Sequence, residues 1–228
     1  MLLAARCASC DRPGASPCRA CHAGLLPPAP EPDPAGLAGL VTLLRYDGPA
    51  RPLVARVKYR NHRQGLTWLA TGLARRVRAA GVPVDLVTWA PTTDRHRRTR
   101  GFDHAELLAR VVASALDVPC RPVLRRLPGP AQTGRPAADR RAAGPRFVAV
   151  ASLRPGARVL VVDDVVTTGA TLRAAVEAVV GAGGRAVPAA LARTPAPRIR
   201  STPWSSCPTT RGAPITSTVQ PPEQRGAP

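Results

Sequence analysis

A chain of 228 residues suffices for one α/β domain with a sizeable core and a small appendage, and falls short of two full enzymatic domains. Lys and Arg number 33 against 14 Asp and Glu, a formal +19 that favours anionic partners such as phosphorylated metabolites or nucleic acid. Ala, Gly, Pro and Arg dominate and Lys58 is the only lysine, so charge alone does not decide for a polyanion-binding face. No run approaches the roughly 20 apolar residues of a bilayer-spanning helix. The start, MLLAARC, lacks a charged n-region and a proper apolar h-region, so a cytoplasmic chain without a membrane span is expected.

From the N-terminus, CASC (Cys7, Cys10) and CRAC (Cys18, Cys21) mark residues 1–26 as a cysteine module, and PPAPEPDP, 27–34, is a stiff extended linker. Over 35–194, strand-like and helix-like patterns alternate, which predicts an α/β domain of βαβ units around a mostly parallel sheet flanked by helices. LVTLLRY, 40–46, is the first predicted strand. Helices follow over 49–59 and 65–80, the second with Leu66, Leu69, Leu73 and Val77 at helical spacing. DLVTWAP, 85–91, is a second strand, and the loop TTDRHRRTRG after it is densely basic. Residues 102–116 fit an amphipathic helix with Leu107, Leu108, Val111, Val112 and Ala115 on its apolar face. A short strand near Val123 leads into a long polar connection over 125–146, a length that in compact domains is functional or disordered. RFVAV and RVLVVDD are further strands, 171–180 is the helix behind the second, and 185–192 is the next strand. Residues 195–228 are proline-rich with almost no apolar periodicity, and a disordered tail is expected there.

The stretch RVLVVDDVVTTGATL, 158–172, carries the chemistry. Four branched apolar residues, Val159–Val162, are the pattern of a buried central parallel strand, whose C-terminal end is where such sheets bind ligands. Asp163 and Asp164 stand there as acceptors suited to sugar hydroxyls or to a Mg²⁺ carried by phosphates. The turn behind them opens a helix. Its unpaired N–H groups, the helix dipole, close approach at Gly169 and the hydroxyls of Thr167, Thr168 and Thr171 together make a phosphate cradle. Acids for a ribose beside donors for a monophosphate describe a ribose 5-phosphate site. The alternative is an ordinary strand-to-helix junction with a capping acid and threonines that satisfy helix ends. No GxxxxGK[ST] loop is present, which argues against an ATPase.

VLVVDDVVTTGAT resembles the phosphoribosyl pyrophosphate motif of type I phosphoribosyltransferases. That resemblance implies that Asp163 and Asp164 contact the ribose hydroxyls at the reacting centre, and that Thr167, Thr168, Gly169, Ala170 and Thr171 hold the 5-phosphate. The cysteine-bearing start, RGFDHAELLA at 100–109 and AQTGRPAADRR at 131–141 resemble, more narrowly, the ComF family of competence-associated phosphoribosyltransferase-like proteins, over roughly residues 5–194. The chain departs from that family's usual RGFNQ at Asp103 and His104, and has Ala142 and Ala143 where an asparagine is typical. Both departures touch the acceptor side. The resemblance also implies pyrophosphate-side contacts in the basic loop with Arg95, Arg97, Arg98 and Arg100, of which Arg100 lies inside the matched RGF element, and a basic contact at Lys58. The 125–146 connection corresponds to the loop that closes over substrate in these enzymes, with Gln132 and Arg140 as candidate contacts. His96 and His104 are candidate acid/base groups set against plain solvent exposure.

CxxC, seven residues, CxxC suits tetrahedral Zn²⁺ held by Cys7, Cys10, Cys18 and Cys21, a closed and therefore structural shell; two disulfides are the alternative. His22 is a spare ligand, and Cys120 is expected in or beside a strand. Two functions fit. One is a phosphoribosyltransferase that uses phosphoribosyl pyrophosphate with Mg²⁺ and releases pyrophosphate. The other is a non-catalytic module that holds a phosphoribosyl ligand and engages single-stranded DNA and DNA-uptake proteins. Fold and motif alone do not separate them.

Overall fold

Four apolar strands form a parallel sheet: β1 (Val41–Arg45), β2 (Leu86–Trp89), β5 (Arg158–Val166) and the alanine-rich β6 (Arg185–Arg193), in the order β1-β6-β5-β2. The computed structural model describes residues 5–56, 63–92, 103–128 and 144–196. All of them lie in one compact unit, Met1–Ala196; Pro197–Pro228 form a second unit outside the described residues. The expected α/β architecture with a parallel sheet is the one observed.

Helices α1 (Arg19–Ala23), α2 (Ala50–Arg56), α3 (Arg63–Ala79), α4 (His104–Leu116) and α5 (Ala170–Gly181) complete the order, together with the short strands β3 (Leu124–Arg126) and β4 (Phe147–Ala149). One face of the sheet, with Leu160, Val162, Ala189 and Leu191, packs on α2, α3 and α4 through Leu53, Leu69, Leu73, Leu108 and Val112. The other face, with Val159, Val161 and Ala190, packs on α5 through Leu172, Ala175 and Val179. Each fully buried Val or Leu contributes about 1.5–3 kcal/mol relative to exposure, so Val159–Val162, all at 0% exposure, fix β5 as the axis of the core.

One expectation is corrected. The inward face of α4 is Ala105, Leu108, Ala109, Val112 and Ala113, whereas Leu107 is exposed and Val111 and Ala115 are half-buried. The three small alanines, with Leu108 and Val112 between them, form the side of α4 that lies against α3 and β2. The strands expected near Val123 and at 146–150 are observed as β3 and β4, which pair antiparallel with one another in a two-stranded sheet of their own. The outer edge of β2 is covered by the chain before β3: Val87 N–H donates to the Pro119 carbonyl, Arg121 N–H donates to Val87, and the buried Thr88 hydroxyl accepts from Val123 N–H. Cys120 is half-buried in this segment, bridged to Val87.

At the opposite end of β5 from the acids, Asp85 accepts from the Arg158 N–H at 2.8 Å and from its guanidinium at 2.9 Å. These bonds hold the Asp85 carboxyl down to about 2 and pin the start of β5 beside β2. The N-terminal residues pack on the same core. Ala8 is fully buried in it, and the Ser9 hydroxyl donates to the Pro49 carbonyl at 3.0 Å. The linker is tied down as well: Asp33 accepts from Gly39 and Leu40 N–H groups, and the Arg193 guanidinium donates to the Glu31 and Pro32 carbonyls. Among the described residues, no helix is long and apolar enough to cross a membrane.

Candidate functional site

The site is built where β5 outruns its neighbour. β2 ends at Trp89, paired with Val162, whereas β5 continues to Val166 and among the described strands is paired from there by β6 alone. The sequence suggested a strand ending at the acids; instead Asp163 and Asp164 lie within it, on the flank that β2 has left open. Adjacent strand residues point to opposite faces, and the Asp163 carboxylate accepts the Asp164 N–H at 2.8 Å. Both acids line a cavity of about 300 Å³ whose other walls include Thr92, Asp103, His104, Arg126 and Thr171.

Behind the acids, buried Val166 and Leu172 anchor the two ends of the turn, leaving Thr167 and Thr168 exposed. Gly169 is the residue before the first turn of α5, with φ 77° and ψ 1°, a left-handed conformation for which glycine is the natural occupant. Gly169 at the cap position has no side chain to offer, so apart from the Ala170 N–H the first N–H groups and the positive end of the helix dipole face the turn. The Ala170 N–H is 3.4 Å from the Thr168 hydroxyl. A hollow lined by Asp163 and residues 167–171 occupies this turn, and it meets the 300 Å³ cavity at Asp163, Val165 and Thr171. An acceptor pair and an N–H cradle therefore adjoin along one wall. Of the residues that sequence singled out, the structure brings together Asp163, Asp164, Thr167, Thr168, Gly169, Ala170 and Thr171; Lys58 and Arg100 lie outside the described residues, as do Arg95, His96, Arg97, Arg98, Gln132 and Arg140.

Asp103 is 7% exposed and caps α4. One carboxylate oxygen accepts the Ala105 N–H at 3.0 Å and the other the Thr92 N–H at 3.0 Å, so an aspartate in the RGF element serves the backbone on both sides of the cavity. His104, the first residue of α4, is half-buried in the cavity wall. Arg126 was not singled out by sequence. It ends β3 opposite Phe147 with its guanidinium 5.7 Å from that ring. Burial pushes its pKa down, and the charge of Asp163 opposes that shift. Its signal was faint: one arginine of an Arg-Arg pair in a three-residue strand, at the mouth of a long connection.

The thiols of Cys7, Cys10, Cys18 and Cys21 lie within 4.8 Å of one another, with Cys10 and Cys18 sulfurs 3.7 Å apart. Four sulfurs at about 2.3 Å from one tetrahedral Zn²⁺ are separated by about 3.8 Å, so the cluster fits that ion. Burial disfavours the Cys7 thiolate, yet the N–H groups of Cys10, Cys18 and Ser9 outweigh it and bring Cys7 down to about 6. For Cys21 the Ser9 hydroxyl favours the thiolate, but burial and the three neighbouring thiols push it up to about 12. His22 stands apart from the cluster, with its ring edge on Trp68 at 5.5 Å. A larger hollow of about 360 Å³, beside Arg76 and Arg193 at the linker, offers two carboxylates that are already engaged: Glu31 with Arg193 and the Ala196 N–H, Asp33 with backbone N–H groups.

The family model described as the phosphoribosyl transferase domain matches residues 103–217, just over half of the chain. No curated protein matches. Among solved structures, the chain is similar to adenine phosphoribosyltransferase from Leishmania tarentolae, with 19% identity, 55% of each chain covered and a TM-score of 0.37. It is similar to adenine phosphoribosyltransferase from Thermoanaerobacter pseudethanolicus, with 20% identity over 63% of this chain and 73% of that one and a TM-score of 0.40. A hypothetical protein from Neisseria gonorrhoeae with bound ppGpp shares 16% identity over 60% of this chain and 74% of that one, with a TM-score of 0.37. The chain spans about half the length of the Leishmania enzyme.

Proposed function

The chain belongs to the phosphoribosyl transferase domain family, and from that premise we propose that it binds phosphoribosyl pyrophosphate at the tip of β5 and transfers the phosphoribosyl group to a nitrogen nucleophile. The observation that carries this reading is the shared wall: Asp163 and Thr171 border both the acid-lined cavity and the turn at Gly169. The turn N–H groups and the Thr167, Thr168 and Thr171 hydroxyls hold the 5-phosphate. Asp163 and Asp164 accept from the ribose hydroxyls and fix the anomeric carbon in the larger cavity. The nitrogen lone pair forms the new bond to that carbon as the carbon–oxygen bond to pyrophosphate breaks, its electrons leaving with the departing oxygen. The acids, held beside the ring, stabilise the positive charge that develops on it. Mg²⁺ bound with the donor supplies charge neutralisation to the leaving pyrophosphate. Arg126 in the cavity wall, and Arg100 and Lys58 by resemblance, are the cations we assign to the donor's phosphates.

We assign the four cysteines to a structural Zn²⁺, and place the chain in the ComF branch of the family, linked to competence and DNA uptake, on the cysteine start and the RGFDH and AQTGRPAADRR elements. The alternative reading is a non-catalytic module that holds the donor; the buried Asp103, with one oxygen accepting from the Ala105 N–H and the other from the Thr92 N–H, holds the backbone beside the cavity in either case. Pyrophosphate release from phosphoribosyl pyrophosphate and Mg²⁺, across a panel of bases and amines, separates the two. Release that Asp164→Asn abolishes supports the transferase. Silence across the panel with donor binding retained supports the module, and DNA as its partner then requires single-strand affinity that falls with salt at a log–log slope of about −0.7 per phosphate contact.

A further inference from the structure

Arg173 and the Pro34–Leu37 turn meet at the rear of the phosphate loop. Leu37 N–H donates to the Pro34 carbonyl at 2.9 Å, and Leu37 is fully buried. A Cβ on Gly169 would stand 2.8 Å from the Leu37 Cδ1, 3.4 Å from the Pro34 Cβ and 3.8 Å from the Arg173 Nη2, so these three side chains form the loop's back wall. The stem of Arg173 lies on Gly36, where a Cβ would come within 3.0 Å of its Cγ and Cδ. Arg173 closes the first turn of α5 through its N–H on the Gly169 carbonyl at 2.8 Å, while its Nη2 turns back to donate to the Thr168 carbonyl at 3.2 Å.

That second bond has a directional consequence. The Thr168–Gly169 peptide is trans, so its C=O and N–H point in opposite directions. Pinning the Thr168 carbonyl on Arg173 aims the Gly169 N–H away from the guanidinium, and among the described residues nothing accepts from it. The Arg173 Nε is buried and has no hydrogen-bond partner, and no described carboxylate pairs with the guanidinium. A buried donor without an acceptor and a cation without a counter-ion are destabilising for folding alone. An anion held in the adjoining loop offsets the uncompensated charge through the field of the guanidinium, without reaching the Nε.

We propose that Arg173 is a positioning residue for the 5-phosphate: from behind the loop it orients the Thr168–Gly169 peptide and lends the cradle a positive charge that no described carboxylate neutralises. The proposal rests on the phosphoribosyl reading of the site. It makes the affinity for a phosphate depend on that phosphate's charge through a side chain that does not line the hollow.

Ribose 5-phosphate, titrated calorimetrically into the full chain at pH 5 and pH 8, brackets the second phosphate ionisation near pH 6. In the wild type, binding tightens as the dianion forms. Arg173→Met, which keeps the stem, should weaken binding at pH 8 on the order of tenfold and remove most of the gain between the two pH values. Arg173→Lys should restore the pH gain with only part of the affinity, because it keeps the charge and loses the guanidinium geometry. Unchanged affinity and pH gain in Arg173→Met, or Arg173→Lys indistinguishable from Met, overturns the proposal. If Arg173→Met fails to fold, Arg173→Lys decides alone, and equality with wild type overturns it. A wild type that binds at neither pH removes the phosphoribosyl reading itself, and the role of Arg173 with it.

Discussion

Gly169→Ala probes the junction of fold and site most sharply. At φ 77° an alanine costs about 1–2 kcal/mol for the left-handed backbone. Its Cβ would also stand 2.8 Å from the Leu37 Cδ1, and although that atom ends a side chain, Leu37 is at 0% exposure and has little room to withdraw, which adds about 1–2 kcal/mol of overpacking. The sum, about 2–4 kcal/mol, lowers the melting temperature of a domain this size by roughly 5–15 °C. A double-mutant cycle with Leu37→Ala separates the two contributions. Leu37→Ala alone should cost about 2–5 kcal/mol as a cavity. In the double variant the steric part of the glycine substitution disappears and the backbone part stays, so the pair should be about 1–2 kcal/mol less destabilised than the sum of the singles. Urea unfolding with calorimetric titration of ribose 5-phosphate measures both stability and loop function. Additive single effects, or a Gly169→Ala variant with wild-type stability and affinity, would refute the account of the back wall.

Three further predictions follow from named contacts. Asp85, held at about 2 by Arg158 against an ordinary 3.8, contributes stability that is present above about pH 4 and lost as pH falls towards 2; Asp85→Asn should flatten the melting temperature over that window, leaving behaviour near neutrality parallel to wild type. Asp103→Ala removes the α4 cap and the acceptor for Thr92, and should destabilise by about 1–2 kcal/mol in urea unfolding, whereas Asp103→Asn, which keeps one acceptor oxygen, should lose less. Cys18→Ser should abolish stoichiometric Zn²⁺ by elemental analysis and lower the melting temperature, because three thiolates no longer close the shell; retained full zinc occupancy would exclude the four-sulfur site.

The strand and helix content was legible in the chain because its core signals are local: Val159–Val162 declare a buried strand, and Leu69, Leu73 and Val77 declare one face of α3. The orientation of α4 was not. Its inward alanines carry little hydropathy, and the choice between Leu107 and Ala109 is made by close packing against α3, which sequence does not display. The motif likewise announced the acids and the glycine turn, yet not that β5 runs past them to Val166, since that depends on where β2 stops. Arg126, Arg173 and Leu37 were invisible as site residues for a common reason: each reaches the site through pairing or packing across distant segments. Leu37 lies three residues beyond the proline-rich stretch, and the stem of Arg173 lies on Gly36, a contact that helical spacing alone does not display.

The central claim is that the tip of β5 and the turn at Gly169 hold the two ends of one phosphoribosyl donor. Calorimetric titration of phosphoribosyl pyrophosphate with Mg²⁺ into wild type and into an Asp163→Asn, Asp164→Asn double variant tests it most directly. The account predicts saturable one-to-one binding to the wild type and a loss of at least tenfold in the double variant, with its melting temperature in the absence of ligand close to wild type. Equal affinity in both proteins, or no binding to the wild type, contradicts it.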